Sequence, residues 1–452
     1  MIPDGAASSL LPDGHRKFVY PADVTGRFAT ARRWTFAALI GVYVALPWIR
    51  IGGHPAVFID IPRRHFHLFG ATFNAQDIWM MLVVLLGVGF VLFVATALLG
   101  RVWCGWACPQ TVFLDGVYRR VERWLQGPRE RRMRRDAGAW TWDRVWRKAA
   151  THAAWVAISF VLAHVFLAYF ASLPGLFQMV QGSPAAHPEA FAVAAATTAA
   201  LYLNFAFFRE QLCIGVCPYG RLQAVLLDKD SLVIGYDAAR GEPRGKLGAA
   251  GAGDCVDCKR CVVVCPTGID IRNGLQLDCI ACTACIDACD EIMVKIGRKR
   301  GLIRYDSLNG LDGKRKRVLR PRLYLYLAVF GAAIVAAALA LAGRAGFEAN
   351  LLRTRGLPFV VDAEKVTNSF EIHLVNKKAE PATFTIAPET SPGMSFVVPM
   401  AEIALEPMAD AHAPVFMIVP RAQFRGERRV PIRVSAGGET RVLEARFLGP
   451  RP

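Results

Sequence analysis

Twelve cysteines stand in this 452-residue chain, and their spacing sorts them into two kinds of site. "CVDCKRCVVVCP" runs from Cys255 to Pro266, and "CIACTACIDAC" from Cys279 to Cys289. Both read C-x-x-C-x-x-C-x-x-x-C, the spacing with which two-cluster bacterial ferredoxins bind [4Fe–4S] cubanes. Three thiolates of each run hold one cluster, and the fourth crosses to the other. The expected ligand sets are Cys255, Cys258, Cys261 and Cys289 for one cluster, and Cys265, Cys279, Cys282 and Cys285 for the second. Paired C-x-x-C also suits zinc, but eight cysteines in two matching runs favour two cubanes. Asp290 stands where a proline commonly follows the last cysteine. That proline shapes a turn and ligates nothing, so the assignment is unaffected.

The remaining four cysteines lie in "RVWCGWACPQ", from Arg101 to Gln110, and "QLCIGVCPYG", from Gln211 to Gly220. Each stretch closes a long apolar run with C-x-x-x-C-P. Residues four apart on a helix share a face, with Cβ atoms about 5–6 Å apart. Cys104 with Cys108, and Cys213 with Cys217, therefore form two dithiol pairs that suit a soft metal ion: Cu(I), zinc or an iron–sulfur centre. The proline after each pair lacks an N–H and interrupts regular helix there. Idle, small buried thiols are the plainer alternative. Two copies at matching positions favour a redox or metal role.

Weaker candidates are His65 and His67 in "RRHFHLFG", an H-x-H pair able to bind metal but more simply read as interfacial polar residues. His164 lies alone within an apolar run and receives no role. Trp103 and Trp106 suit an interfacial aromatic belt.

The elements that must position these residues are mostly apolar. The chain is 54% hydrophobic yet carries a net charge of +17. The basic residues flank apolar runs and form no separate basic domain, which argues against a nucleic-acid partner. Five segments approach the roughly 20 residues needed to cross a bilayer: 34–51, 78–100, 149–173, 191–208 and 323–342. Residues 1–33 lack the apolar core of a cleavable signal, so the first run reads as a retained span.

Loop charge sets the orientation. Twelve Lys/Arg against five Asp/Glu lie between Arg101 and Lys148, whereas no Lys or Arg lies between Leu173 and Ala190. Arg16, Lys17, Arg27, Arg32 and Arg33 precede the first run, and 295–322 is again densely basic. Arg63 and Arg64 run against this pattern and are outweighed. The positive-inside rule then puts the N-terminus and every cysteine on the cytoplasmic side, where thiols stay reduced.

After about residue 345 the pattern changes to short, often alternating runs: "SFEIHLV", "ATFTIA", "MSFVV", "PVFMIVP", "VPIRVS" and "VLEARFL". These indicate an antiparallel immunoglobulin-like β-sandwich. The expected architecture is a multi-domain membrane protein. It comprises a cytoplasmic segment (1–33), four spans with the C-x-x-x-C-P motifs (34–228), an α+β two-cluster ferredoxin-like module with a basic linker (229–322), a fifth span (323–342) and an extracytoplasmic all-β sandwich (345–452).

The stretches "GRVWCGWACPQTVF", "REQLCIGVCPYGRLQ", "YDAARGEPRG" and "CPTGIDIRNGLQLDCIACTACIDACD" together resemble the cytochrome c oxidase accessory protein family, CcoG/FixG. The likeness covers nearly the whole chain; the departures, such as Gly220 and "GVC" in the second pair, leave the cysteines intact. The resemblance implies a bacterial inner-membrane cupric reductase that converts Cu(II) to Cu(I) for assembly of cbb3-type cytochrome c oxidase. It further implies copper as substrate or transient ligand at Cys104, Cys108, Cys213 and Cys217, with an electron donor, copper chaperones and oxidase-assembly machinery as partners. Two other readings share the motifs. One is a quinol-linked membrane ferredoxin feeding a periplasmic reductase; the other is a non-enzymatic assembly factor with structural clusters.

The charge pattern makes a direct prediction. Reporter fusions at Gly127 should behave as cytoplasmic and those at Gly437 as periplasmic. A cytoplasmic signal at Gly437 would overturn the five-span arrangement.

Overall fold

The computed structural model describes residues 18–73, 77–317, 319–342, 345–354, 356–378 and 380–450; Arg16 and Lys17 lie outside them. It divides into two compact units. One contains the chain up to Thr72 and Met80–Ile334, the other Phe73–Trp79 and the chain from Val335.

Among the described residues four helices are long and apolar enough to cross a membrane: Leu82–Leu99, Trp142–Leu167 and Pro188–Phe208 in the first unit, and Pro321–Leu339, which begins in the first unit and ends in the second. Their outward side chains, among them Leu85, Val161, Phe191 and Leu339, are exposed as lipid-facing residues would be. The third of the expected runs starts earlier than 149, because Thr141 caps the helix by accepting a hydrogen bond from the Arg144 amide at 3.3 Å. The π-helical turn Asn204–Phe208 ends the Pro188–Phe208 segment.

The run expected at 34–51 is corrected. A helix forms at Arg27–Ala45, and Arg50–Ile51 is a strand. Its start is fixed from far away in sequence: the Asp287 carboxylate accepts hydrogen bonds from the Phe28 and Ala29 amides at 3.3 and 2.7 Å. Its end is fixed by Pro47, which has no N–H to continue the ladder. With Arg27, Arg32 and Arg33 in its first turns, this helix is not among the four membrane-length apolar ones.

Between Val57 and Phe73 the chain forms a small three-stranded sheet, Val57–Asp60, His65–Leu68 and Ala71–Phe73. The iron–sulfur module pairs Leu232–Tyr236 with Ile303–Ser307 antiparallel and packs helix Ala284–Lys295 beside them. Its core is made of Ile234, Ile269, Ile271, Ile286, Met293 and Ile303 together with cysteines.

A lattice of buried charges joins these parts. Arg119 contacts Asp115 at 2.7 Å and Glu210 at 2.8 Å, while Glu122 is shared by Arg209 at 2.9 Å and Arg132 at 3.1 Å. Burial alone would raise Asp115 and Glu122. The adjacent guanidinium groups outweigh it and hold both carboxyls below the usual range.

The second unit is a β-sandwich. One sheet orders Ser395–Val397, Asp410–Pro420, Lys365–Asn376 and Phe347–Arg353, with Val360–Val361 pairing on the third. The other orders Glu402–Leu405, Ala382–Pro388, Arg428–Ala436 and Glu439–Phe447. Alternate residues point inward, so Phe370, Ile372, Leu374, Phe384, Val415, Met417, Ile432 and Phe447 form one core. All six expected strands are present, and Phe347–Arg353 and Glu402–Leu405 are additional.

The charge lattice predicts the effect of removing one member. Glu122→Gln leaves Arg209 and Arg132 without their shared anion and should destabilise the first unit by about 3–5 kcal/mol. A thermal melt of detergent-solubilised protein reads this as a lowered midpoint; an unchanged midpoint would count against the lattice. The depressed carboxyl values set the sign with pH. The stabilisation is present above the ordinary carboxylate range and is lost as pH falls through the lowered folded-state values.

Candidate functional site

The two C-x-x-x-C-P motifs sit just beyond membrane-length helices. Cys104 lies in the short helix Val102–Trp106, and Cys108 precedes the helix Pro109–Phe113. Cys213 lies in the π-helical turn Leu212–Val216, and Cys217 precedes helix Pro218–Leu226. In both motifs the proline is the first helical residue, where its missing N–H costs nothing. The proline thus starts a new helix after the second thiol.

The fold brings the four thiols together. Burial raises the Cys213 thiol to about 12, with further contributions from Cys108, Cys104 and Cys217. Burial likewise lifts Cys104 to about 11, against the opposing charge of Arg101. Cys108 is raised by burial although the amides of Gln110 and Thr111 donate to its sulfur. Half-buried thiols that resist ionisation alone, as Cys104, Cys108 and Cys213 do, are donors that become thiolate when a cation supplies the charge.

Gln223 is fully buried and reaches several parts of the site. Its Oε1 lies 3.1 Å from both Cys104 Sγ and Arg101 Nε, and its Nε2 donates to Thr96 Oγ1 at 3.2 Å. Arg101 also donates to the Leu277 carbonyl, next to the second cysteine run. Neither residue stands out in the sequence. An arginine and a glutamine flanking the two thiol motifs carry no pattern that separates them from surface residues.

The thiol turn rests directly on the iron–sulfur module. A Cβ added at Gly105 would come within 2.5 Å of the Ile280 carbonyl oxygen and 2.8 Å of Ala281 backbone atoms. Cys104 packs against a buried group containing Val264, Ile280, Cys282 and Ala284. Arg32 ties the same turn from the other side, donating to the Gly105 carbonyl and to Asp115, both at 2.7 Å.

Within the module the cysteines of the two runs lie close to one another. Cys289, raised to about 12 mainly by burial, is also influenced by Cys261, Cys258 and Cys255. Cys285 is buried, raised by that burial well above the ordinary thiol value, and next influenced by Cys282, Cys279, Cys265 and Cys261. A cavity lies between Cys261, Cys265, Cys279, Cys282 and Cys285, walled by Ile234, Ile269, Ile271 and Ile280. A sulfur-rich, apolar-walled cavity fits an iron–sulfur cluster, whose thiolate ligands need a cationic core once removed from water.

The histidines divide differently. His65 and His67 are joined by His54, whose ring stacks on His67 at 3.9 Å between centroids. Burial, then His54 and His65, push His67 down to about 4, and its Nδ1 pairs with Thr72 Oγ1 at 2.9 Å. His164 Nδ1 lies 2.8 Å from the Phe160 carbonyl in its own helix. Trp103 is half-buried.

With this geometry in place, the chain can be compared with known proteins. Residues 208–308 match a 4Fe-4S dicluster domain, residues 80–131 a 4Fe-4S binding domain, and residues 337–450 the IG-like fold at the C-terminal of FixG. The nitrogen fixation protein FixG of Rhizobium meliloti (strain 1021) is 36% identical over 461 residues, covering 90% of this chain and 88% of that protein. Protein RdxA of Cereibacter sphaeroides is 38% identical over 391 residues, covering 83% of each. Protein RdxB of the same organism is 33% identical over 464 residues, covering 98% of this chain and 93% of that one. An iron–sulfur module, membrane-length helices and a C-terminal immunoglobulin-like domain are all present, and the chain belongs to the FixG/RdxA/RdxB family of CcoG-like, membrane ferredoxin-type electron-transfer proteins.

Proposed function

We propose that this iron–sulfur protein reduces Cu(II) to Cu(I) at the face formed by Cys104, Cys108, Cys213 and Cys217, in support of copper delivery to a cbb3-type cytochrome c oxidase. The observation that carries the reading is the close approach at Gly105. The turn bearing Cys104 touches the backbone of the Ile280–Cys282 segment, so the thiol face adjoins the second cysteine run. When bound, the [4Fe–4S] clusters supply one-electron relay. The proposed ligand sets are Cys255, Cys258, Cys261 and Cys289, and Cys265, Cys279, Cys282 and Cys285.

Copper is the substrate. Each Cu(II) takes one electron, supplied in turn by a donor that recharges the protein, and leaves as Cu(I). Thiolates bind the soft cuprous ion better than the cupric one, which favours the reduction itself. Arg101 and Gln223 orient Cys104, while Arg32 holds the turn against the module. The proposed setting is the bacterial inner membrane, with the four membrane-length helices and, as a shorter first span, the apolar part of the helix Arg27–Ala45; the N-terminus and clusters are then cytoplasmic and the C-terminal domain periplasmic. Copper chaperones and oxidase-assembly factors are the proposed partners.

Replacing Cys104 and Cys108, or Cys213 and Cys217, by serine keeps the size but substitutes a hard, weak ligand. These variants should keep their [4Fe–4S] absorbance and lose most Cu(II) reduction, followed with a Cu(I)-specific chromophore. Full reduction by the fourfold variant would rule the thiol face out.

A second reading is favoured by the match of residues 80–131, which include Cys104 and Cys108, to a 4Fe-4S binding domain. On that reading the four thiols hold a further iron–sulfur centre. Iron analysis of anaerobically purified protein separates the two: about eight irons per chain for two cubanes, about twelve for three. The fourfold serine variant should then fall from about twelve to about eight.

A further inference from the structure

The outward face of the sandwich's larger sheet carries a group of ligand-type side chains that the electron path does not use. His373 and His412 face each other in register across the neighbouring antiparallel strands Lys365–Asn376 and Asp410–Pro420. Their imidazoles stack with centroids 4.4 Å apart and planes 15° from parallel. Side chains alternate between sheet faces, so Glu371 and Asp410, each two residues along, share the outer face. Phe370, Ile372, Leu374 and Ala413 point into the core instead.

The polar atoms converge. His373 Nε2 lies 2.9 Å from an Asp410 carboxylate oxygen, and His412 Nδ1 lies 3.3 Å from one of Glu371. One ligand atom from each of His373, Asp410 and His412 falls within 4.8 Å of the other two. All three are at least partly open to solvent. The two histidines and Asp410 are held by paired strands, so their spacing is set by backbone register and not by loop conformation.

We infer that this face is a binding site for a borderline divalent transition-metal cation, Cu(II) in preference to Zn(II), ligated by His373, His412 and Asp410. Imidazole with carboxylate suits copper and zinc, whereas calcium and magnesium prefer all-oxygen sites. For a given nitrogen–oxygen donor set, Cu(II) binds more tightly than Zn(II). Glu371 serves as the outer partner. By engaging His412 Nδ1 it orients the ring and leaves Nε2 for the ion, as carboxylates do behind metal-bound histidines. The inference concerns binding alone and stands apart from copper reduction. A protein that holds Cu(II) here and reduces none keeps this site and loses the proposed activity.

The test uses the full chain, purified with oxidised clusters and no reductant, and titrated with Cu(II) while electron paramagnetic resonance is recorded. Copper held by the cysteines as Cu(I) is silent in this measurement. The expected result is a tetragonal Cu(II) signal split by two imidazole nitrogens, displaced by excess Zn(II) and not by Ca(II). The double variant His373→Gln, His412→Gln should lose that signal, with affinity at this site reduced about 100-fold or more. Its thermal melt and [4Fe–4S] absorbance should be unchanged, because both side chains lie on the outer face. Asp410→Asn, which keeps both imidazoles, should retain the nitrogen splitting and bind more weakly. An unaltered two-nitrogen signal in the double variant would overturn the inference, as would displacement by Ca(II) as readily as by Zn(II).

Discussion

Five buried charged side chains, Arg119, Glu122, Arg132, Arg209 and Glu210, hold the first unit in order together with the half-buried Asp115. A buried charge is tolerated only when paired and hydrogen-bonded, and breaking such a pair costs far more than a surface pair contributes. The lattice matters because of where its members sit. Asp115, Arg119 and Glu122 follow the first thiol motif, and Arg209 and Glu210 precede the second. Pairing them fixes two segments about a hundred residues apart in sequence. Arg119 also donates to the Pro266 carbonyl at 3.2 Å, so the module beside Cys265 is held by the same residue.

That framework allows a close contact to be useful. At Gly105 there is no room for a side chain, and the Cys104 turn therefore lies against the Ile280–Cys282 backbone. The low-dielectric surroundings that make the ion lattice strong also raise the thiols of Cys104 and Cys213. The same burial thus disfavours ionisation of Cys104 and Cys213 on their own and makes them receptive to a soft cation. Stability and ligand preference have one physical origin here.

The sequence was most legible where function is local. Cysteine spacing within each ferredoxin-like run reflects how a few residues wrap one cluster, and alternation reveals strands such as Lys365–Asn376 because one face of each is in the core. It was least legible where distant residues decide. The first helix begins at Arg27 because Asp287 caps it, a relation no window of the sequence contains. Gln223 and Arg101 look ordinary until the fold brings them to Cys104. His54 joins His65 and His67 only where the fold stacks its ring on that of His67. Phe347–Arg353 escaped notice because its outer positions hold Leu352 as well as the polar Glu348 and Asn350, which blurs the alternation.

The sandwich closes its core with phenylalanine, isoleucine and valine, and contains no cysteine. Every thiol in the chain lies before residue 290. On the proposed orientation, the exported domain offers nothing to oxidative folding catalysts and matures without them. It also cannot form mixed disulfides with the reactive half of the molecule while the chain is being inserted. On that same proposed orientation the compartments divide the labour through amino-acid usage: sulfur chemistry would be confined to the reducing side, and outside, copper would meet only nitrogen and oxygen donors in this domain, apart from its methionines.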